Sequence, residues 1–319
     1  MVFWQDMKTC FLFPGQGAQY PGMARDLFEA SPEVRELFSV ASGTSGMDAR
    51  KLLFESTAEE LKATDRTQIA VTLASLCSGW VLRSSGARMD GCAGFSLGEY
   101  AALCMAGVIS LKDVFPIVKL RGELMEKAAR GLDSSSGAAG MVAVLGIPAE
   151  RVASVVEPLA KEGAHLANYN SPGQMVISGT ADGLQRAEKA LKDAGAKRLI
   201  RLAVSGPFHS PLMVEARKAF DEALKEYPFD DPQVPVYSNV TGRPISTGAE
   251  ARELCGRQLV SLVRWVTVEE RLLADGFDRF LEAGPGTVLA GLLRALRPDL
   301  TCAPAGTLEG IQKATGVAA

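Results

Sequence analysis

The segment "MDGCAGFSLGEYAALCMAGV", residues 89–108, runs a short apolar stretch into a glycine-flanked serine and then into helix-forming residues. This constrains the fold sharply. A buried strand that becomes a helix through GxSxG needs a tight, strained turn, and that turn belongs to α/β architectures in which the serine, here Ser96, is lifted out of the backbone. The same residues also permit a plainer reading, in which Ser96 caps the helix by accepting from the Gly98 or Glu99 N–H and Glu99 completes a capping box. The two are compatible, because a helix start supplies free amides and positive dipole beside a nucleophile.

The neighbouring segments fit an α/β chain. "CFLF" reads as a buried strand, "PGQGAQYPG" as a glycine-rich turn, "MARDLFEASPEVRELF" as helix and "TQIAVTLASLCSGWVLRSSG" as a second helix. From about 141 to 205 the rhythm becomes βαββαβ, preceded by the small-residue hinge "GLDSSSGAAG". That order is the signature of a ferredoxin-like unit. The expected fold is therefore α/β: a large α/β-hydrolase-like domain with a short central sheet, formed by 1–138 and 206–319, interrupted by a ferredoxin-like subdomain at 139–205. The terminal "TLEGIQKATGVAA" reads as a weakly held tail.

Composition removes several function classes. A net charge of -3 on 319 residues suits no dedicated polyanion binder, so no nucleic-acid partner is expected. The apolar runs are too short or interrupted for a membrane span, the opening "MVFWQDMKTCFLFPGQG" leads to no expectation of secretion, and six scattered cysteines without CxxC spacing suit reduced thiols in the cytoplasm. Neither a P-loop nor a GxGxxG after a strand is present. No metal site is expected.

A serine hydroxyl needs a base, and the chain has two histidines, His165 and His209. His165 opens a strand of the subdomain, where a solvated or structural role suits it. His209, in the breaker-rich "SGPFHSPLM", is the better candidate. The acids between Ser96 and His209 fall in helix-like segments, so no triad carboxylate stands out and a serine–histidine dyad is adequate chemistry. In "VFPIVKLRGELMEK", helical spacing puts Val114, Val118, Arg121 and Met125 on one stripe, so an arginine interrupts an apolar face. It either binds an anion, pairs with a core carboxylate or snorkels to water.

The set "FLFPGQGAQYPGM", "GFSLGEYAAL", "VKLRGELM", "NYNSPGQMVISG", "VSGPFHSPLM", "VYSNVTG", "QLVSLVRW" and "EAGPGTVLAGL" resembles the malonyl-CoA:acyl-carrier-protein transacylase family, and polyketide-synthase acyltransferase domains are similar. The resemblance runs from about residue 10 to 310. It implies that Ser96 accepts malonyl from malonyl-CoA as an ester, with His209 as general base and acid. It also implies an oxyanion hole of the Gln16 and Leu97 backbone N–H groups, Arg121 gripping the malonyl carboxylate, and the Gln258 backbone carbonyl orienting His209. Asn168 resembles a site-facing asparagine, a turn or strand amide being the alternative, and Phe208 resembles a malonyl-type pocket that disfavours methylmalonyl.

One position departs. The family usually has histidine before the nucleophile, where this chain has Phe95, so the expectation is retained chemistry with acyl preference or ester hydrolysis as the property open to change. The implied partner is acyl carrier protein, in fatty-acid or polyketide assembly. The implied cofactor set is none, coenzyme A entering as part of the substrate, and a monomer is the expected state. The competing readings are a serine esterase or thioesterase and a non-catalytic carrier-binding scaffold.

Overall fold

Every residue of the strand Thr9–Phe13 (β1) is buried, and its alternation feeds two cores: Phe11 and Phe13 enter one, Cys10 and Leu12 the other. A strand buried on both faces suits the centre of a parallel sheet. In the computed structural model, which describes residues 7–317, the later strands are β2 (Gly91–Gly94), β3 (Gly140–Leu145), β4 (Ala164–Ser171), β5 (Gln174–Gly179), β6 (Arg198–Arg201), β7 (Val236–Tyr237), β8 (Arg279–Glu282) and β9 (Cys302–Pro304). β1 takes the middle of a parallel sheet ordered β7-β2-β1-β8-β9. The core on the Phe11 and Phe13 face includes residues of helices Thr64–Ser84, Gly98–Met105 and Leu111–Arg130, and the opposite core those of Trp265–Ala274 and Val288–Leu296.

The remaining strands form an antiparallel sheet ordered β4-β5-β3-β6, with helix Ala149–Val156 following β3 and helix Ala181–Asp193 following β5. The order of elements matches the βαββαβ rhythm. Along β3, Val142 and Val144 join a small separate core with those two helices, while Met141 and Ala143 join the main core. The small sheet is thus packed on both faces, which fixes it against the rest of the chain.

Two local expectations change, and one strand went unannounced. The helical run after the first loop is two helices, Arg25–Ala30 and Pro32–Ser45, because Ser31 leaves the helical conformation to cap Val34 N–H at 3.2 Å and Pro32 suits a first turn. As far as residue 317 the C-terminal segment is not loose: helix Leu308–Thr315 is capped by Thr307, buries Ile311 and Ala314, and is tied to Asp26 through the Leu308 N–H at 2.6 Å. The short edge strand β9, which pairs with β8, had no alternating pattern to announce it. All six cysteines are free and buried. Among the described residues, no helix is long and apolar enough to cross a membrane and no cluster of three His, Cys, Asp or Glu could hold a metal.

Candidate active site

Parallel strands deliver their C-terminal ends to one edge, where open α/β sheets bind ligands. Gln16 follows β1, Ser96 follows β2 and Asn239 follows β7, so all three leave that edge. Glycine makes the Ser96 turn tight enough. A Cβ on Gly94 would lie 2.0 Å from the Gly98 carbonyl, one on Gly98 would lie 2.0 Å from the Phe13 carbonyl oxygen, and one on Gly15 would meet the Phe95 oxygen at 2.4 Å. The "PGQG" loop therefore lies against the nucleophile turn so closely that Gly15 has no room for a side chain beside the Phe95 carbonyl and ring.

Ser96 adopts φ +50°, a left-handed conformation that costs a side-chain-bearing residue roughly 1–2 kcal/mol. Its N–H donates to Asn239 Oδ1 at 2.6 Å, which helps offset that cost. Helix Gly98–Met105 has no side-chain cap at its N-terminus, so the capping box does not form. Instead the Ser96 hydroxyl meets His209 Nε2 at 2.7 Å, and the Glu99 carboxylate accepts the Asn239 N–H at 2.8 Å.

His209 Nδ1 lies 2.9 Å from the Gln258 carbonyl oxygen. A carbonyl only accepts, so Nδ1 carries the proton and, in the neutral ring, Nε2 presents its lone pair to Ser96. His209, itself at φ +57°, is buried. Burial first, and then the Arg121 charge, push its pKa down to about 4, against the opposing pull of the Gln258 carbonyl. The imidazole is therefore neutral, and able to take a proton, across the physiological range.

Arg121 does interrupt the apolar face of helix Leu111–Arg130, and it is only 1% exposed. Nη1 donates to Gln68 Oε1 at 2.9 Å, and Nη2 to Gln258 Oε1 at 3.0 Å and to Ser96 Oγ at 3.4 Å. The guanidinium lies over the Tyr100 ring at 5.3 Å. Among the described residues no ion pair takes up its charge, and its Nε has no hydrogen-bond partner. Glu99 is the buried acid that feels Arg121, yet burial raises its pKa to about 7, against the lowering effects of the Asn239 N–H, Gln258 and Arg121. Neutral amides thus hold a buried cation near the nucleophile, an arrangement suited to an incoming carboxylate.

The other expected site residues are placed less uniformly. Among the described residues, the Gln16 and Leu97 N–H groups have no hydrogen-bond acceptor, which leaves both able to serve an oxyanion. Phe95 packs edge-to-face on Trp265, ring centroids 5.3 Å apart, as part of the turn's support. Phe208 is buried, with its carbonyl accepting from the Ser178 hydroxyl. Asn168 is buried on β4, where its backbone pairs with Val176 and bridges to Val263, and no hydrogen bond joins its side chain to Ser96, His209 or Arg121. His165 sits apart, near the start of β4. A cavity of about 580 Å³ lined by Tyr20, Phe280, Thr287 and Thr307 includes none of these site residues, so the site is located by its chemistry and not by cavity size.

A family model described as an acyl transferase domain matches residues 10–314. The chain belongs to this acyl transferase family. This acyl transferase is 41% identical over 309 residues to the malonyl CoA-acyl carrier protein transacylase of Bacillus subtilis, covering 96% of each chain. The solved malonyl CoA-acyl carrier protein transacylase of Coxiella burnetii superposes with a TM-score of 0.92 at 33% identity, over 97% of both chains. A malonyl-transacylase solved in complex with its type II PKS acyl-carrier protein gives a TM-score of 0.91 at 36% identity, covering 97% of this chain and 99% of that one.

Sequence reasoning missed two members of the acyl transferase site, Gln68 and Asn239, and half the role of a third, Gln258. Gln68 lies within an apolar helix that reads as core, and its amide became meaningful only once Arg121 was seen against it. Asn239 ends "VYSN", and a polar amide at the end of a short strand was the signal available. Gln258 was expected to act through its carbonyl alone, yet its side chain also holds Arg121 and donates to the Ser96 carbonyl at 3.1 Å.

Proposed function

We propose that this acyl transferase moves the malonyl group from malonyl-CoA to the phosphopantetheine thiol of acyl carrier protein through a malonyl ester on Ser96. One observation carries the reading: the Ser96 hydroxyl contacts both His209 Nε2, at 2.7 Å, and a buried guanidinium with no counter-ion among the described residues, at 3.4 Å. A base activates the hydroxyl, and the cation selects an acyl group that carries its own carboxylate.

As Ser96 Oγ attacks the thioester carbon, His209 Nε2 takes its proton. The carbonyl π electrons move onto oxygen, where the Gln16 and Leu97 amides stabilise the anion. Collapse breaks the C–S bond, and His209 returns the proton to the departing coenzyme A sulfur. The carrier thiol then gives its proton to His209 and attacks the ester. Ser96 leaves with that proton restored, so the cycle balances with no cofactor beyond the coenzyme A of the substrate.

Supporting detail comes from the fold. The parallel sheet with its nucleophile turn is read as α/β-hydrolase-like and the small sheet as a ferredoxin-like subdomain at 139–205, between large-domain parts 1–138 and 206–319. Phe208 is assigned to a malonyl-type pocket, Asn168 to the site lining contributed by the small domain, and Phe95 to tuning of acyl preference or hydrolysis. A cytoplasmic monomer acting in fatty-acid or polyketide assembly is the setting this reading implies.

The test is to follow coenzyme A release from malonyl-CoA with and without holo acyl carrier protein. Sustained release that requires the carrier, with malonyl appearing on its thiol, is expected. Sustained release at the same rate without carrier would make the protein a hydrolase instead.

A further inference from the structure

Asn239 sits at the junction of everything that holds the nucleophile turn, although it touches neither the base nor Arg121. It is fully buried. Its side-chain oxygen accepts the Ser96 N–H at 2.6 Å while its side-chain nitrogen donates to the Gly94 carbonyl at 2.7 Å, so one amide clamps both sides of the strained residue. Those opposite requirements, an acceptor toward Ser96 and a donor toward Gly94, fix which way the amide faces. Its own N–H donates to Glu99 Oε2 at 2.8 Å, and its carbonyl accepts the Arg264 N–H at 2.9 Å. The adjacent Val263 exchanges backbone bonds with β4, donating to the Ala167 carbonyl at 2.9 Å and accepting from Tyr169 N–H at 2.8 Å. Asn239 therefore joins the small sheet to the turn that carries Ser96.

The consequence is chemical as well as structural. Ser96 is a non-glycine residue at φ +50°, and its amide is committed to Asn239. A developing oxyanion cannot draw on that amide, whereas the Leu97 amide has no acceptor among the described residues. We infer that Asn239, anchored by Glu99, is a positioning residue for acylation: it holds the left-handed turn that presents Oγ to His209 and reserves the Leu97 amide for the oxyanion. This rests on the reading of Ser96 as the acyl acceptor. Without the Asn239 side chain the Ser96 N–H and the Gly94 carbonyl both lose their partners, and the turn is free to relax away from the geometry His209 needs.

The test compares the wild-type chain with Asn239→Ala in single-turnover acylation by saturating malonyl-CoA, read as acyl mass on Ser96. Malonyl-CoA affinity is measured separately in a Ser96→Ala background with and without the Asn239 change. The expected result is acylation slowed by about tenfold to a hundredfold, the scale of a misplacement of roughly 1 Å, with affinity changed less than about threefold. A fluorophosphonate, which reports serine reactivity without any malonyl recognition, is expected to label the variant more slowly by a similar factor. Wild-type acylation by a folded Asn239→Ala protein overturns the inference, as does a defect lying wholly in affinity. If Asn239→Ala does not fold, Asn239→Asp carries the test, because it keeps the volume and the acceptor for Ser96 but loses the donor to Gly94. Acylation slowed at least about fivefold then supports the inference and a wild-type rate overturns it. Failure of the wild-type chain itself to acquire malonyl would be a failure of the proposed function, whereas the fluorophosphonate comparison would still decide the role of Asn239.

Discussion

The Arg121 guanidinium reaches to 3.4 Å of the Ser96 hydroxyl, with Gln68 and Gln258 as its side-chain amide supports and no ion pair among the described residues. A malonyl thioester separates its carboxylate from its reactive carbonyl by one methylene. An acyl group that short suits a site where the carboxylate receptor lies so close to the nucleophile. The planar fork of arginine matches a carboxylate through parallel hydrogen bonds, and acetyl would leave those donors unpaired.

Removing the receptor should invert the preference. Arg121→Ala is expected to slow malonyl transfer by about a hundredfold, near 3 kcal/mol, while acetyl transfer falls far less. Arg121→Lys restores charge without the fork and should recover only part of the loss. Competition between malonyl-CoA and acetyl-CoA, read as ester yields on Ser96, checks both.

Gln258 separates backbone from side-chain roles. Gln258→Ala keeps the carbonyl that accepts from His209 but removes the side-chain bonds to Arg121 and the Ser96 carbonyl. The expected outcome is weaker discrimination between malonyl and acetyl, with a fall in acylation of about tenfold. An unchanged selectivity ratio would show that Gln68 alone keeps the guanidinium in place.

The pH profile should show its acidic limb near pH 4, not near the ordinary histidine value of 6.5, because a depressed His209 stays neutral until then. Arg121→Ala removes one cause of that depression and should move the limb upward, though only partly, since burial is the larger cause. The stability sign follows from linkage. His209 has a folded pKa below its unfolded one, so its contribution is complete above about 6.5 and lost as pH falls through about 4. Glu99, raised from 4.5 to about 7, acts oppositely: its contribution is complete below 4.5 and lost as pH rises through 7. Denaturant titrations of Glu99→Gln at pH 5 and pH 8 should therefore show the variant gaining on the wild type at the higher pH.

The glycines of the nucleophile turn are not interchangeable with glycines elsewhere. Gly98→Ala would drive a Cβ to 2.0 Å from the Phe13 oxygen and should cost about 3 kcal/mol or more. Gly43, exposed in helix Pro32–Ser45 with no atom within 4 Å of an added Cβ, should gain about 0.5–1 kcal/mol when changed to alanine. Urea unfolding of the two variants tests the contrast.

Much of this was legible in the sequence because the periodicities are local. GxSxG between an apolar run and a helix-forming run announced Ser96, and the βαββαβ rhythm announced the small sheet. Arg121 stood out as a charge on an apolar stripe. The partners of these residues were less visible, because a hydrogen bond between positions 96 and 239, or 68 and 121, leaves no periodic trace. Glu99 shows the limit well: its spacing from Ser96 matches a capping box, yet the backbone N–H of the distant Asn239 donates to its carboxylate in place of the local bond. The terminal helix was misread because its anchors, Ile311 in the main core and the Asp26 carboxylate, are distant or few.

The most direct measurement is the intact mass of the wild-type chain after separate incubation with malonyl-CoA, methylmalonyl-CoA and acetyl-CoA, with the modified residue located by peptide fragmentation. One malonyl group on Ser96, formed ahead of the other two esters and absent from Ser96→Ala, is the predicted result. An unmodified protein, a label on another residue, or acetyl accumulating as readily as malonyl would contradict it.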